Sequence, residues 1–252
     1  MVTLTELERY CHTLLNSSAI SDYAPNGVQV RGREEIHTVV TGVSACLALF
    51  EEAIALNADL VLVHHGMFWE KDPRIIEGSL KKRLQKLLQQ DLTLMAFHLP
   101  LDAHPSLGNN AQILQRLQLT PGKPFALYRG THLSAIGECA QGLSIEAMSA
   151  QVQELFGGQP LLLPYGPTTI HHVAVCSGAA PELIREAKQK GADLFLTGEA
   201  SEYVTHFAAE EEIHFIAAGH HRTEKFGVQA LGEALAKQFA LQHHFVDIAN
   251  PI

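Results

Sequence analysis

The feature that most constrains the fold of this chain is a repeated alternation of short apolar runs with amphipathic stretches. The runs have the length of buried strands, and the stretches between them have the spacing of helices that cover a sheet. This order predicts an α/β fold with mixed, mostly parallel sheets covered by helices. The alternating segments are residues 38–43, 45–56, 59–63, 80–88 and 92–97 early in the chain, and 173–176, 180–190, 193–197, 201–211, 213–217 and 223–239 later.

Other segments are predicted from the same patterns and from turn residues. Helices are expected at residues 4–15 and 144–156, and strands at 28–30, 132–139 and 245–248. The stretch 120–169, which is rich in proline, is interpreted as a connecting subdomain rather than a flexible linker.

The early and late stretches resemble two copies of one unit. Residues 57–65 (NADLVLVHH) align with residues 191–199 (GADLFLTGE), and each is preceded by a strand and a helix. We therefore predict two similar α/β halves related by an internal duplication, although any two βαβ units share some likeness. The predicted parts are a first half at 1–120, a connecting segment of the second subdomain at 121–170, and a second half at 171–252.

Composition limits the partners and the location. The net charge is −9 and the longest basic run is Lys81–Lys82–Arg83, so a nucleic-acid partner is not expected. No apolar run approaches the length of a membrane span, and residues 1–10 lack the order of a secretory signal. We therefore expect a cytoplasmic protein with no membrane contact. The cysteines, which are scattered and interpreted as core residues, are Cys11, Cys46, Cys139 and Cys176.

Histidine is the residue type that points to chemistry, with 15 in the chain. His64 and His65 follow a predicted strand, and ligands of parallel sheets gather at the carboxyl ends of strands. Adjacent side chains at a strand end are expected to diverge, so the pair suits two neighbouring ions better than one.

Two further strand ends carry a histidine followed, four positions later, by a carboxylate. His98 and Asp102 follow one strand, and Pro100 between them predicts that Asp102 lies in a loop. His220 and Glu224 follow another strand and, if a helix begins near His220, share one helix face.

Together these residues provide mixed nitrogen and oxygen ligands for two divalent cations. Such a set fits Zn, Fe, Mn or Co and differs from a closed structural zinc site, which prefers cysteine. Two ions about 3.5–4 Å apart are a common means of activating water. The predicted metal ligands are His64, His65, Asp102, His220 and Glu224, and supporting or acid–base roles are expected for His98, His104 and Glu199.

The remaining histidines are interpreted as structural. Neither the pair 171–172 nor the pair 243–244 follows a predicted strand, and single histidines are usually surface or hydrogen-bonded core residues. The sequence also lacks an H-E-x-x-H helix, a phosphate-binding P-loop, a G-x-S-x-G elbow and a dinucleotide-binding glycine turn. The single histidines are His12, His37, His132, His206 and His214.

At these residues the sequence resembles the NIF-three-like family of dinuclear-metal proteins, whose members carry the name GTP cyclohydrolase I type 2 homologue, and most closely its bacterial YbgI type. The likeness covers nearly the whole chain. It rests on the segments 18–30 (SAISDYAPNGVQV), 63–69 (VHHGMFW), 98–110 (HLPLDAHPSLGNN), 198–202 (GEASE), 218–224 (AGHHRTE) and 247–251 (DIANP).

The resemblance implies the NIF-three-like fold of two α/β halves and a toroidal hexamer with metal sites facing its interior. It implies that His64 and Asp102 serve one ion, His65 and His220 the other, and that Glu224 touches both. By the same resemblance, we expect the chain to lack the larger inserted domain of longer members.

The leading functional hypothesis is a metal-dependent hydrolase that acts on a small, nucleotide-like substrate, possibly a damaged nucleotide, with Glu224 and His98 as catalytic residues. The alternative is a non-catalytic hexameric metal-binding scaffold for a protein or nucleic-acid partner.

Overall fold

The computed structural model describes residues 2–73 and 75–252. The chain forms two compact units. The first contains the chain up to Leu101 together with Gly227–Ala249, and the second contains Asp102–Phe226 together with Asn250–Ile252. The parts predicted from the sequence are 1–120, 121–170 and 171–252. Residues 227–249 belong to the first unit because the last strand of the chain pairs there.

The strands and helices alternate through most of the chain. The strands are β1 Val2–Thr3, β2 Gly27–Val30, β3 Glu35–Ile36, β4 Thr38–Ser44, β5 Leu60–His65, β6 Thr93–Ala96, β7 Thr120–Tyr128, β8 Thr131–Leu143, β9 Leu161–Pro164, β10 Ile170–Cys176, β11 Leu194–Thr197, β12 His214–Ala217 and β13 Gln242–Phe245. The helices are α1 Leu4–Leu14, α2 Leu47–Ala55, α3 Gly78–Gln89, α4 Leu99–Asp102, α5 Asn109–Arg116, α6 Ile145–Phe156, α7 Ile184–Gln189, α8 Val204–Glu210, α9 His220–Thr223 and α10 Lys225–Phe239.

The sheet of the first unit has the strand order β13-β4-β5-β6-β2. The strands β13, β4, β5 and β6 run parallel, and β2 pairs antiparallel with β6. Its apolar runs are buried on both faces, as expected for parallel strands, and α2 and α3 contribute Leu49, Phe50 and Leu87 to the core. The helix α1 begins at a capping box in which Thr3 accepts a hydrogen bond from the Glu6 N–H.

The sheet of the second unit has the strand order β7-β8-β10-β11-β12-β9. The strands β10, β11 and β12 are parallel, and the others are antiparallel to their neighbours. One core cluster joins α5 and α6 to this sheet, and a second contains Phe125, Phe195 and Phe215.

The predicted duplication is visible in the topology of the two sheets. Each sheet contains three parallel strands that also follow one another along the chain, β4, β5 and β6 in the first and β10, β11 and β12 in the second, and an antiparallel strand lies beside the third of them. In both copies an aspartate accepts hydrogen bonds from two consecutive backbone N–H groups. Asp59 Oδ2 accepts backbone N–H groups of His37 and Thr38, and Asp193 Oδ2 accepts those of His171 and His172. Each carboxylate thus fixes the start of the first parallel strand of its sheet.

Several predictions of local structure were incomplete. The proline-rich stretch after residue 120 forms the edge strand β7, where missing N–H groups are tolerated. The strand β9 and the short pair β1 and β3 were not predicted, and the last strand ends at Phe245 instead of beginning there. Within the described ranges, none of the helices has the length and apolar character needed to cross a membrane.

We predict that Asp59→Ala lowers the free energy of unfolding by about 2 kcal/mol, because two backbone N–H groups beside this buried carboxylate lose their acceptor. The measurement is urea unfolding followed by circular dichroism. Glu51→Ala, on the exposed face of α2, is the control and should change stability by less than about 0.5 kcal/mol. Equal effects of the two substitutions would contradict this role of Asp59.

Candidate metal centre

In the first unit, His64 and His65 occupy the carboxyl end of β5 as predicted. The His64 side chain is fully buried, and its Nδ1 lies 3.1 Å from the carbonyl oxygen of Phe97. A carbonyl only accepts, so Nδ1 carries the proton and Nε2 carries the lone pair that can ligate a cation. His65 Nδ1 lies 3.1 Å from Ser44 Oγ on the neighbouring strand.

The rings of His64 and His65 lie closer together than the predicted divergence suggests. Their centroids are 4.7 Å apart with an interplanar angle of 43°. The hydrogen bonds to Phe97 and Ser44 hold the rings in this arrangement.

His98 completes an imidazole cluster with His64 and His65. Each of the three histidines has one ring nitrogen that lies within 4.8 Å of a ring nitrogen of the other two. Within the first unit, the structure therefore brings His98 to the predicted ligands as a third candidate ligand. Neutral imidazole nitrogens at this spacing suit Zn, Fe, Mn or Co.

His98 is oriented by Asp22, a residue that sequence reasoning did not select. Its Nδ1 lies 2.9 Å from Asp22 Oδ1, and both side chains are almost fully buried. Burial acts to raise the pKa of Asp22, but hydrogen bonds from His98, Asn26 and the Leu99 N–H outweigh it and lower the pKa to about 2. Asp22 is therefore an ionised partner that fixes the His98 ring. The only sequence signal was the turn-rich segment 21–27.

In the second unit, His220 and Glu224 show the predicted i, i+4 pairing. His220 Nε2 lies 3.1 Å from Glu224 Oε2, and His220 Nδ1 lies 2.6 Å from Glu199 Oε1. Burial acts to lower the pKa of His220, but the two carboxylates outweigh it and raise the pKa to about 9. The supporting position predicted for Glu199 is therefore present.

Asp102 is placed by a short helix and not by the predicted loop. Pro100 lies in the first turn of α4, where its missing N–H costs no helical hydrogen bond, so it does not prevent the helix. The Asp102 carboxylate is buried and accepts a hydrogen bond of 2.9 Å from Asn109 Nδ2. Asn109, which was missed from the sequence, fixes this carboxylate.

The second unit concentrates negative charge around these residues. Burial raises the pKa of the Cys176 thiol well above its usual value, and the carboxylates of Asp102, Glu182, Glu224 and Glu186 raise it further. Asp102 and Glu224 therefore act on the same buried thiol. Buried carboxylates that lie near one thiol in this way suit a cation better than an anion.

His104, for which a supporting or acid–base role is predicted, makes hydrogen bonds to the neighbouring backbone. Its Nδ1 accepts backbone N–H groups of Ser106 and Leu107 at 3.3 and 3.0 Å, and burial lowers its pKa. Both hydrogen bonds stabilise the turn that leads into α5.

Comparison with known proteins is consistent with this fold. The model of the Duf34/NIF3 (NGG1p interacting factor 3) family matches residues 2–251. The chain belongs to this family. The resemblance to the NIF-three-like family and its fold is therefore confirmed.

Relatives in this family match the Duf34/NIF3 chain along its whole length. A Pasteurella multocida protein named GTP cyclohydrolase 1 type 2 homolog is 43% identical over 248 residues, which are 98% of each chain. An Escherichia coli K12 protein of the same name is 44% identical over 248 residues, again 98% of each chain.

Solved structures agree with the Duf34/NIF3 fold. One described as protein ybgI of unknown function has a TM-score of 0.95 at 43% identity and covers 100% of both chains. TTHA1606 from Thermus thermophilus has a TM-score of 0.90 at 32% identity, also with 100% coverage of both chains.

We predict that Asp22→Ala destabilises the protein by about 2–4 kcal/mol at pH 7, because buried donors on His98, Asn26 and Leu99 lose a charged acceptor. Folding lowers the pKa of Asp22 to about 2, from about 4 in the unfolded chain. The contribution of the Asp22 charge to the free energy of unfolding is therefore complete at pH values above about 4. The contribution is lost as the pH falls towards 2.

Urea unfolding at pH 7 and at pH 3 measures the difference between wild type and Asp22→Ala. The difference should shrink at the lower pH. Glu154→Ala, on the exposed face of α6, is the control. A difference for Asp22→Ala that does not depend on pH would show that the Asp22 charge does not contribute.

Proposed function

We propose that this Duf34/NIF3 protein is a metal-dependent hydrolase with a dinuclear centre that acts on a small, nucleotide-like substrate. In this proposal His64 and Asp102 bind one ion, His65 and His220 bind the other, and Glu224 binds both. The imidazole cluster of His64, His65 and His98 carries the proposal, because clustered neutral imidazoles are typical of transition-metal sites.

The types and environments of the side chains support the proposed ligand set. The first unit supplies imidazoles, and the second supplies one imidazole and two buried carboxylates. Hydrogen bonds to Phe97, Ser44, Asn109 and Glu199 hold the proposed ligands. Such outer contacts orient ligands and tune their affinity.

Two divalent ions would supply the Lewis acidity that activates water and offsets the charge of an anionic substrate. His98, held through Nδ1 by Asp22, would accept or donate a proton at Nε2. Glu224 would accept a proton or orient the attacking water. The name shared by the relatives from Pasteurella multocida and Escherichia coli, GTP cyclohydrolase 1 type 2 homolog, supports a nucleotide-like substrate.

The first test is metal content. We expect about two ions of Zn²⁺ or Co²⁺ per chain in equilibrium dialysis followed by elemental analysis. His65→Ala and His220→Ala should each weaken binding of one ion by at least about 100-fold, since they remove a ligand and not merely an outer contact. His206→Ala, an exposed histidine on α8, should keep the wild-type metal content. A wild-type protein that binds neither metal would end the proposal.

The second test separates catalysis from a scaffold role. We expect metal-loaded protein to hydrolyse at least one compound in a panel of nucleotides, phosphoesters and cyclic amides. Glu224→Gln should lower turnover by at least about 100-fold, because it removes both a proton acceptor and the carboxylate proposed to bind the two ions. Glu210→Gln, an exposed glutamate on α8, is the matched control.

A metal-loaded protein that turns over nothing in the panel, yet binds a partner protein tightly, would favour the scaffold alternative. In that case Glu224→Gln should leave partner binding unchanged.

We further propose that the protein assembles as the hexamer that its family resemblance implies. Size-exclusion chromatography with light scattering should give six chains per particle. A stable monomer across micromolar concentrations would contradict this assembly.

A further inference from the structure

Two large aromatic side chains of the first unit lie beside the imidazole cluster. The Trp69 ring is 5.3 Å from the His98 ring and 5.8 Å from the His65 ring, between centroids. The Tyr23 ring is 5.0 Å from the His98 ring. The Tyr23 and Trp69 rings are 5.8 Å apart and inclined by 31°. They therefore form an aromatic wall that extends from the proposed ligands.

Hydrogen bonds fix the backbone at both residues of this wall. The Glu70 N–H donates to the Tyr23 carbonyl oxygen at 3.0 Å, and the Trp69 N–H donates to Asp72 Oδ2 at 3.1 Å. Asp22, which orients His98, also accepts the Tyr23 N–H at 2.7 Å. The position of the wall is thus coupled to the position of the His98 ring.

Core packing does not account for this arrangement. Tyr23 is 40% exposed, and Trp69 is only partly buried although it is the largest side chain type and the one tryptophan of the sequence. Both rings meet the His98 imidazole in T-shaped contacts, at 78° for Tyr23 and 86° for Trp69, and so neither is stacked face to face on it. Aromatic faces beside a polar site are typical stacking surfaces for planar rings.

We infer that Tyr23 and Trp69 form the stacking site for a planar heteroaromatic ring of the substrate, such as a purine base. This inference rests on the proposed function and specifies its substrate class. Stacking supplies affinity that does not depend on the hydrogen-bonding pattern of the base. The metal site would hold the anionic or reacting group, and the aromatic wall would orient the ring beside it.

The experiment uses the zinc-loaded full chain and the fluorescence of its single tryptophan. GMP is compared with ribose 5-phosphate, which carries the same sugar and phosphate without a ring to stack. We expect GMP to quench Trp69 fluorescence saturably and to bind at least about fivefold more tightly than ribose 5-phosphate in calorimetry. Equal affinities for the two compounds, or no binding of GMP, would overturn the inference.

Variants test the role of the ring itself. Trp69→Leu should weaken GMP binding at least about fivefold and leave ribose 5-phosphate binding unchanged, whereas Trp69→Phe should retain most of the GMP affinity. Tyr165→Leu, an exposed tyrosine of the second unit, is the control and should not change either affinity. Loss of both ligands in Trp69→Leu with unchanged metal content would show a structural role and not a stacking role.

Failure of the metal proposal is distinguishable from failure of this inference. If the wild-type chain binds no zinc, the dinuclear centre is wrong, and GMP quenching of Trp69 still decides the stacking site. If zinc binds but GMP and ribose 5-phosphate behave alike, the metal centre stands and the stacking site is wrong.

Discussion

The parallel pairing of β5 with β6 is the constraint on which the imidazole cluster depends. Val63 lies opposite Ala96 in this pair, so His64 comes level with Phe97 just past the last paired residues. The Phe97 carbonyl oxygen is then in position to accept the His64 Nδ1 proton, and His98 follows directly. The register of these two buried strands therefore places three imidazoles at the same edge of the sheet.

The same scaffold serves a different chemical purpose in the second unit. The aspartates at residues 59 and 193 fix the two sheets in the same way, yet the strand ends of the second unit carry Gly198 and Glu199 where the first carries His64 and His65. One copy thus concentrates imidazoles and the other concentrates carboxylates. The two copies therefore share these backbone hydrogen bonds and differ in the residues past each strand end.

The sequence was sufficient to predict the fold class and most strands and helices, because buried parallel strands form short apolar runs such as 60–63 and 194–196. The i, i+4 pairing of His220 and Glu224 was also predictable, because it needs only a helix that begins at the right residue. The strand β7 was not predictable, since its prolines suit an edge that only the tertiary fold defines. Asp22 and Asn109 were missed because their roles depend on partners that tertiary folding brings into contact, and no local pattern marks them.

The pairing of β13 with β4 means that the sheet of the first unit cannot be completed until the end of the chain has been synthesised. During vectorial synthesis, Thr38–Ser44 leaves the ribosome about 200 residues before Gln242–Phe245, its neighbour in the sheet. Until translation ends, β4 has an open edge with unpaired N–H and C=O groups, which is a site for wrong association. Nascent chains that end before residue 242 therefore expose the edge of β4, which the complete chain covers with β13.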